Sequence, residues 1–231
     1  MGITAENVAE KWNISRSSQE EFALDSHMKS IYARDNGYFK SEICPITSDD
    51  GVIDEDGCIR DTTLEAMSKL NPVFKDNGSV TAATSSPLTD GAVSMLVCSS
   101  EFAEKNGLEP LARIVTSAVT GCPPNLMGIG PISSTQKALE LSGWDIKDID
   151  VFEINEAFSS QSIAVIDELS IDYDKVNIDG GAISIGHPLG ASGARIVGKA
   201  ASILDRTKTE RAIATMCIGG GMGITIALER P

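Results

Sequence analysis

The chain has 231 residues, 42% of them apolar and 23% charged, enough to bury a sizeable core in one or two domains. Its 33 acidic residues against 19 basic ones leave a formal charge of −14, a field that repels nucleic acid and anionic membranes and disfavours both as partners. Five cysteines with no C-x-x-C pair among them argue against a disulfide framework and for a reducing, cytoplasmic setting.

No apolar run is long enough to span a bilayer, and Met1-Gly2-Ile3-Thr4-Ala5-Glu6 has the pattern of neither a signal peptide nor a transit sequence. A short helix from Thr4 puts Val8 and Trp12 on one face, and Ser15 is placed to cap a longer helix over Arg16 to Asp35, with Gly37 as its stop. Residues 41–62 gather Asp49, Asp50, Asp54, Glu55 and Asp56 around Gly51 and Gly57, the composition of a surface excursion. A short helix near Leu64 to Leu70 follows, then turns at Asn71-Pro72 and Asn77-Gly78. The small polar segment Ser79 to Pro87 suggests a backbone packed close to another group.

Val93 to Cys98 reads as a buried strand and Glu101 to Asn106 as a helix closed by Gly107. From Leu111 strand and helix alternate: a strand to Val119, a Gly/Pro-rich loop from Gly121 to Pro131, and a helix opened by the capping box Ser133-x-x-Gln136 and ended at Gly143. Then come a strand at Val151 to Ile154, a helix over Glu156 to Leu169, a helix over Gly193 to Leu204, and two apolar strands joined through Gly219-Gly220-Gly221 as a closing hairpin. This is an α/β pattern with a domain boundary near residue 110.

Three segments carry residues able to do chemistry. His187 lies in Gly180 to Gly193, a glycine-rich loop stiffened by Pro188; it is a satisfied structural group, part of a phosphate cradle, or a catalytic base. Neither the P-loop nor the dinucleotide fingerprint is present. Cys217 leaves a strand ahead of Ile218-Gly219-Gly220-Gly221-Met222-Gly223, whose N–H groups could converge on an anion, unless the thiol is an inert core group. Asn155 opens Asn155-Glu156-Ala157-Phe158 at a strand-to-helix junction, where it caps the helix or points into a cleft. No zinc-ligand spacing accompanies these residues. The other histidine, His27, sits in a polar-faced helix and reads as solvated.

Taken in order, NEAF at 155–158, GGAISIGHPLGASGAR at 180–195 and CIGGGMG at 217–223 resemble the thiolases, and the likeness runs back through residues 80–92 to Met1. The resemblance implies a thiolase-like α/β fold: an inserted loop domain over 1–87, the last strand and helix of an N-terminal half over 88–109, and the C-terminal thiolase domain over 110–231. It implies an acyl-CoA acyltransferase of fatty acid and lipid metabolism, with coenzyme A or acetyl-CoA as substrate, no covalently bound cofactor and no metal, working as a homodimer or homotetramer.

By the same resemblance His187 is the general base toward a nucleophilic cysteine and Cys217 shuttles a second proton, for which an ordinary thiol pKa of about 8.5 is serviceable. Two oxyanion sites follow, one from His187 and a water held by Asn155, the other including the Gly219 N–H. Ser86 resembles a position on the pantetheine arm, Phe74, Met127 and Phe158 the walls of its tunnel, and Arg60 a contact to the nucleotide end. None of Cys44, Cys58, Cys98 or Cys122 stands in the motif of the family's nucleophile, so the chain is expected to be inactive alone. A non-catalytic acyl-CoA- or lipid-binding relative is the alternative. Ketoacyl synthases fit less well, because their second half typically offers two histidines where this chain has His187 and Cys217.

Overall fold

The computed structural model describes residues 1–49 and 51–231, so Asp50 of the acidic segment lies outside the described residues. Its centre is a four-stranded sheet of β3 (Arg113–Gly121), β4 (Val151–Ile154), β5 (Arg211–Ile218) and β6 (Met222–Glu229), in the spatial order β3-β6-β5-β4. β6 runs antiparallel to both β3 and β5, while β4 and β5 are parallel and need a long crossover.

Alternation along the strands sorts the core into two layers. Phe152, Ile154 and Ile213 face one side, where they meet Leu139 of α5 (Gly130–Ser142) and Val165, Ile166 and Leu169 of α6 (Ser159–Leu169). Val151, Ala212 and Ala214 face the other, against Ile196, Val197, Ala200, Ile203 and Leu204 of α8 (Ser192–Thr207). Each large side chain buried in these layers contributes roughly 1.5–3 kcal/mol. Glu153 falls on the α8 side by the same alternation; it is 1% exposed, and burial pushes its carboxyl up to about 8, so it sits neutral at pH 7.

Ahead of this domain, α1 (Gly2–Lys11) and α2 (Arg16–Asp35) lie on α6, and α2 also packs against α3 (Leu64–Ser68) and α7 (Ala182–Ile185). Ser15 caps α2 as its sequence implies, accepting the Ser18 N–H at 3.0 Å. His27, however, is only 3% exposed, not solvated. The buried face of α2 is polar, with Gln19, Ser26, His27 and Ser30 all turned inward, so no apolar stripe marks it in the sequence. On the surface excursion β1 (Ile46–Ser48) and β2 (Gly51–Ile53) pair antiparallel, and both are exposed.

Three expected elements need correction as well. Val93 to Cys98 is not a strand: it runs without a ladder, with Leu96 and Val97 71% and 63% exposed. A strand exists only where a neighbour satisfies its N–H and C=O groups, and among the described residues none pairs with this run. The helix expected to open at Ser133 begins at Gly130, with Pro131 in its first turn; Ser133 is inside it, bonded to Thr120 Oγ1 at 2.7 Å. The helix expected from Glu156 begins at Ser159, because Phe158 is extended and bridges Ser85. The helix α4 (Ser100–Asn106) closes on Gly107 as read.

Candidate active site

The carboxyl ends of β4 and β5 bring the three sequence segments together. β4 is continued by Asn155, whose N–H donates to Thr215 O of β5 at 3.0 Å. Asn155 is fully buried and does not cap α6, which starts four residues later. Asn177 stands in for a missing strand neighbour: its amide accepts the Ile154 N–H and donates to Ile154 O, both at 2.8 Å.

His187 arrives from the opposite direction, after α7. Gly186 turns the chain at φ +100°, a conformation that L side chains rarely adopt, and a Cβ there would stand 2.7 Å from Thr89. The imidazole lies between two partners. Its Nδ1 is 2.7 Å from Ser192 Oγ, and that hydroxyl donates to Pro188 O at 3.1 Å. The pair accommodates the Nδ1–H tautomer, in which Nδ1 donates to Ser192 Oγ while that hydroxyl turns to Pro188 O. Nε2 is then bare and faces Asn155 Nδ2 at 3.4 Å. Burial lowers the pKa of His187 from its ordinary value, and the charge of Arg195 lowers it further, so the ring is a neutral acceptor at pH 7.

Cys217 is paired with Gly223 in the β5–β6 ladder and is 7% exposed. It packs with Ala5, Val80, Met127, Ala157 and Phe158. Burial pushes its thiol up to about 12, far from the value near 8.5 that the sequence alone suggests. It is therefore a neutral proton donor until a base or substrate changes its surroundings. Gly219, in the turn beyond, is exposed, and its N–H makes no backbone hydrogen bond among the described residues.

An open cleft of about 510 Å³ lies over His187, walled by Pro188 to Gly190 on one side and Leu88 to Gly91 on the other. Asn155 Oδ1 is buried and accepts no hydrogen bond from another described residue. Met127 and Phe158 share the Cys217 cluster, and Phe74 meets Phe158 edge-on at 6.0 Å between ring centres. Ser86 donates to Ala157 O from both N–H and Oγ, at 3.1 and 3.2 Å. Arg60 stands apart: it is exposed, and its charge acts on His27. Ser192 was not singled out from the sequence; its signal is the hydroxyl five residues after His187, at the first position of α8. Among the described residues no group of three His, Cys, Asp or Glu side chains is placed to hold a metal ion.

A neutral imidazole on a loop, a neutral thiol and a buried amide meet at the carboxyl ends of two parallel-paired strands of an α/β protein, a set of groups able to accept and donate protons. The family models agree with the residues. Residues 1–101 match the thiolase N-terminal domain and residues 108–230 the thiolase C-terminal domain, so the chain belongs to the thiolase family. The acetyl-CoA acetyltransferase of Paracoccus denitrificans is 48% identical over 236 residues, and the beta-ketothiolase BktB of Cupriavidus necator 47% over 236. Each alignment covers 100% of this chain and 60% of the relative. Human mitochondrial 3-ketoacyl-CoA thiolase in complex with CoA superimposes with a TM-score of 0.95 at 42% identity, over 100% of this chain and 59% of that one. The Bacillus anthracis acetyl-CoA acetyltransferase gives 0.94 at 41%, over 100% and 60%. The fold is that of the thiolases, and the chain spans about 60% of the length of the relatives it matches. No helix among the described residues is long and apolar enough to cross a membrane.

Proposed function

We propose that this chain supplies the acid/base half of a thiolase site, for Claisen condensation of acetyl-CoA or thiolysis of a short 3-oxoacyl-CoA through a cysteine thioester. The observation that carries the reading is the setting of His187: Nδ1 lies 2.7 Å from Ser192 Oγ and Nε2 3.4 Å from Asn155 Nδ2, which suits an Nδ1–H tautomer with Nε2 bare on the Asn155 side of the site. Nε2 accepts the proton of the attacking thiol, and the resulting Nε2–H then donates to the oxygen that becomes negative at the carbonyl. In this reading a water held by the Asn155 side chain stands beside it and completes the first oxyanion site. Cys217, protonated at neutral pH, delivers its proton to the acetyl-CoA enolate in thiolysis; in synthesis it first gives that proton to the departing CoA thiolate, and the Cys217 thiolate then takes one from the acetyl methyl. The exposed Gly219 N–H contributes to a second oxyanion site. Ser86, Phe74, Met127 and Phe158 line the route of the pantetheine arm, and Arg60 meets the nucleotide end.

The nucleophile is not one of Cys44, Cys58, Cys98 or Cys122, and the 231-residue chain by itself turns over no acetoacetyl-CoA. A chimera that prefixes it with the first part of the Paracoccus denitrificans relative is expected to catalyse thiolysis and to lose it in His187→Ala and Cys217→Ala. Turnover by the 231 residues alone, or a chimera indifferent to His187→Ala, defeats the reading.

A further inference from the structure

Glu156 follows Asn155 in the chain, and its carboxylate accepts three hydrogen bonds in the interior. Oε1 takes Asn177 Nδ2 at 2.7 Å, and Oε2 takes Ser26 Oγ at 2.7 Å and the Ile183 N–H at 3.1 Å. These donors belong to different parts of the fold. Asn177 is the amide that finishes the edge of β4. Ile183 lies in α7, which ends one residue before Gly186-His187. Ser26 is on α2 and also accepts the Gly181 N–H at 3.1 Å, while Ser184 Oγ lies 3.0 Å from Ser26 Oγ and 2.7 Å from Ser30 Oγ.

The chain is shaped to admit this carboxylate. A Cβ on Gly181 would stand 2.2 Å from Glu156 Cδ, and one on Gly180 would stand 1.9 Å from Ser30 Oγ. The paired glycines ahead of the histidine loop are thus accounted for by Glu156 and α2, with no bound anion required. Both sides of the Asn155–His187 contact hang on one buried group: the Asn155 turn through the residue's own backbone, the His187 loop through Ile183.

The geometry points to Glu156 as a positioning residue, whose carboxylate sets the register between Asn155 Nδ2 and His187 Nε2 and couples that register to α2. The inference rests on the reading of His187 as the base. Gln is a severe replacement despite its shape, because its NH2 must face either the Asn177 amide donors or the Ile183 N–H, donor against donor.

The chain has only two histidines, so the ring nitrogens of His187 can be read directly in a 15N-labelled sample of the full 231 residues. In the folded Glu156→Gln variant the ratio of Nδ1–H to Nε2–H tautomer at His187 is expected to fall about fivefold, the factor set by losing one ordinary hydrogen bond from Asn155. Asn155→Ala should give the same fall, and the double variant no more than either. A purely structural Glu156 would lower the melting temperature and leave the tautomer ratio alone, and that result overturns the proposal. Should Glu156→Gln fail to fold, Ser26→Ala decides the matter. It removes one donor of three and should move the ratio in the same direction, by about twofold; an unchanged ratio there also overturns the proposal. Turnover does not enter this measurement, so an inactive chimera and an immobile tautomer are separate failures.

Discussion

Gly181→Ala tests the packing that supports the site, because its effect has one source. Gly181 sits at φ −137°, ψ −162°, extended backbone open to any residue, so alanine meets no conformational penalty there. What it meets is Glu156: the new methyl would lie 2.2, 2.3 and 2.5 Å from Cδ, Oε1 and Oε2. The carboxylate cannot swing aside without leaving Asn177, Ser26 and Ile183, so the backbone must shift, and overpacking of this severity costs about 3 kcal/mol. Urea unfolding followed through Trp12 and Trp144 should show it as a midpoint lowered by about 1 M. In a Glu156→Ala background the obstruction is gone, and Gly181→Ala should cost less than about 0.5 kcal/mol. Equal costs in the two backgrounds would refute the steric argument and, with it, the explanation of the glycine pair.

Two further outcomes follow from the titrating groups. His27 is held at about 4 against an ordinary 6.5, by burial first and the Arg60 charge second. The unfolded chain therefore takes up that proton before the folded one does. Stability falls as pH drops from about 6.5 toward 4, by about 3 kcal/mol in all. His27→Gln should flatten that part of the stability curve measured by urea unfolding at stepped pH, and an unchanged slope would contradict it. Cys217, with its thiol near 12, should react with iodoacetamide at pH 7 at least about 100-fold more slowly than exposed Cys44 and Cys98, as peptide mass spectrometry can follow. Rapid labelling of Cys217 would show that its burial is misjudged.

Local chemistry was legible wherever a residue answers to its own neighbours. Ser15, Gly107 and Gly143 mark helix ends because capping and left-handed turns are decided within a few residues. The β4, β5 and β6 runs are apolar enough to declare themselves. What escaped the sequence depends on distant partners. Val93 to Cys98 has strand composition and no strand beside it, and Phe158 is drawn out of its helix by Ser85. His27 looked solvated because α2 buries hydroxyls and amides, which carry no apolar period. His187, Cys217 and Asn155 were visible as unusual residues in glycine-rich or junction settings. Their shared location was not, and Ser192 and Glu156 acquire meaning only through contacts 5 and 27 residues away in the chain, to His187 and to Ile183.

The position of the site follows from the register of two strands. Ile154 pairs with Thr215, and Asn155 extends the ladder by donating to Thr215 O. Thr215 is itself pinned: its Oγ1 donates to Ile224 O at 3.0 Å and lies 2.7 Å from Thr225 Oγ1, which also lies 2.7 Å from Ser134 Oγ of α5. Cys217 is two residues further along β5 on the same face, about 6.5 Å beyond. A slip of one residue between β4 and β5 would carry Phe152 and Ile154 to the α8 side and turn Asn155 away from the histidine loop together. The same hydrophobic pattern that selects the native register therefore selects the distance between the amide and the thiol. His187 is the member not set by the sheet. It reaches the strand ends on a loop, and a loop needs its own anchor: Glu156 supplies one through Asn177, Ser26 and Ile183, whose hydrogen bonds oppose the burial that pushes its carboxyl up from the ordinary value.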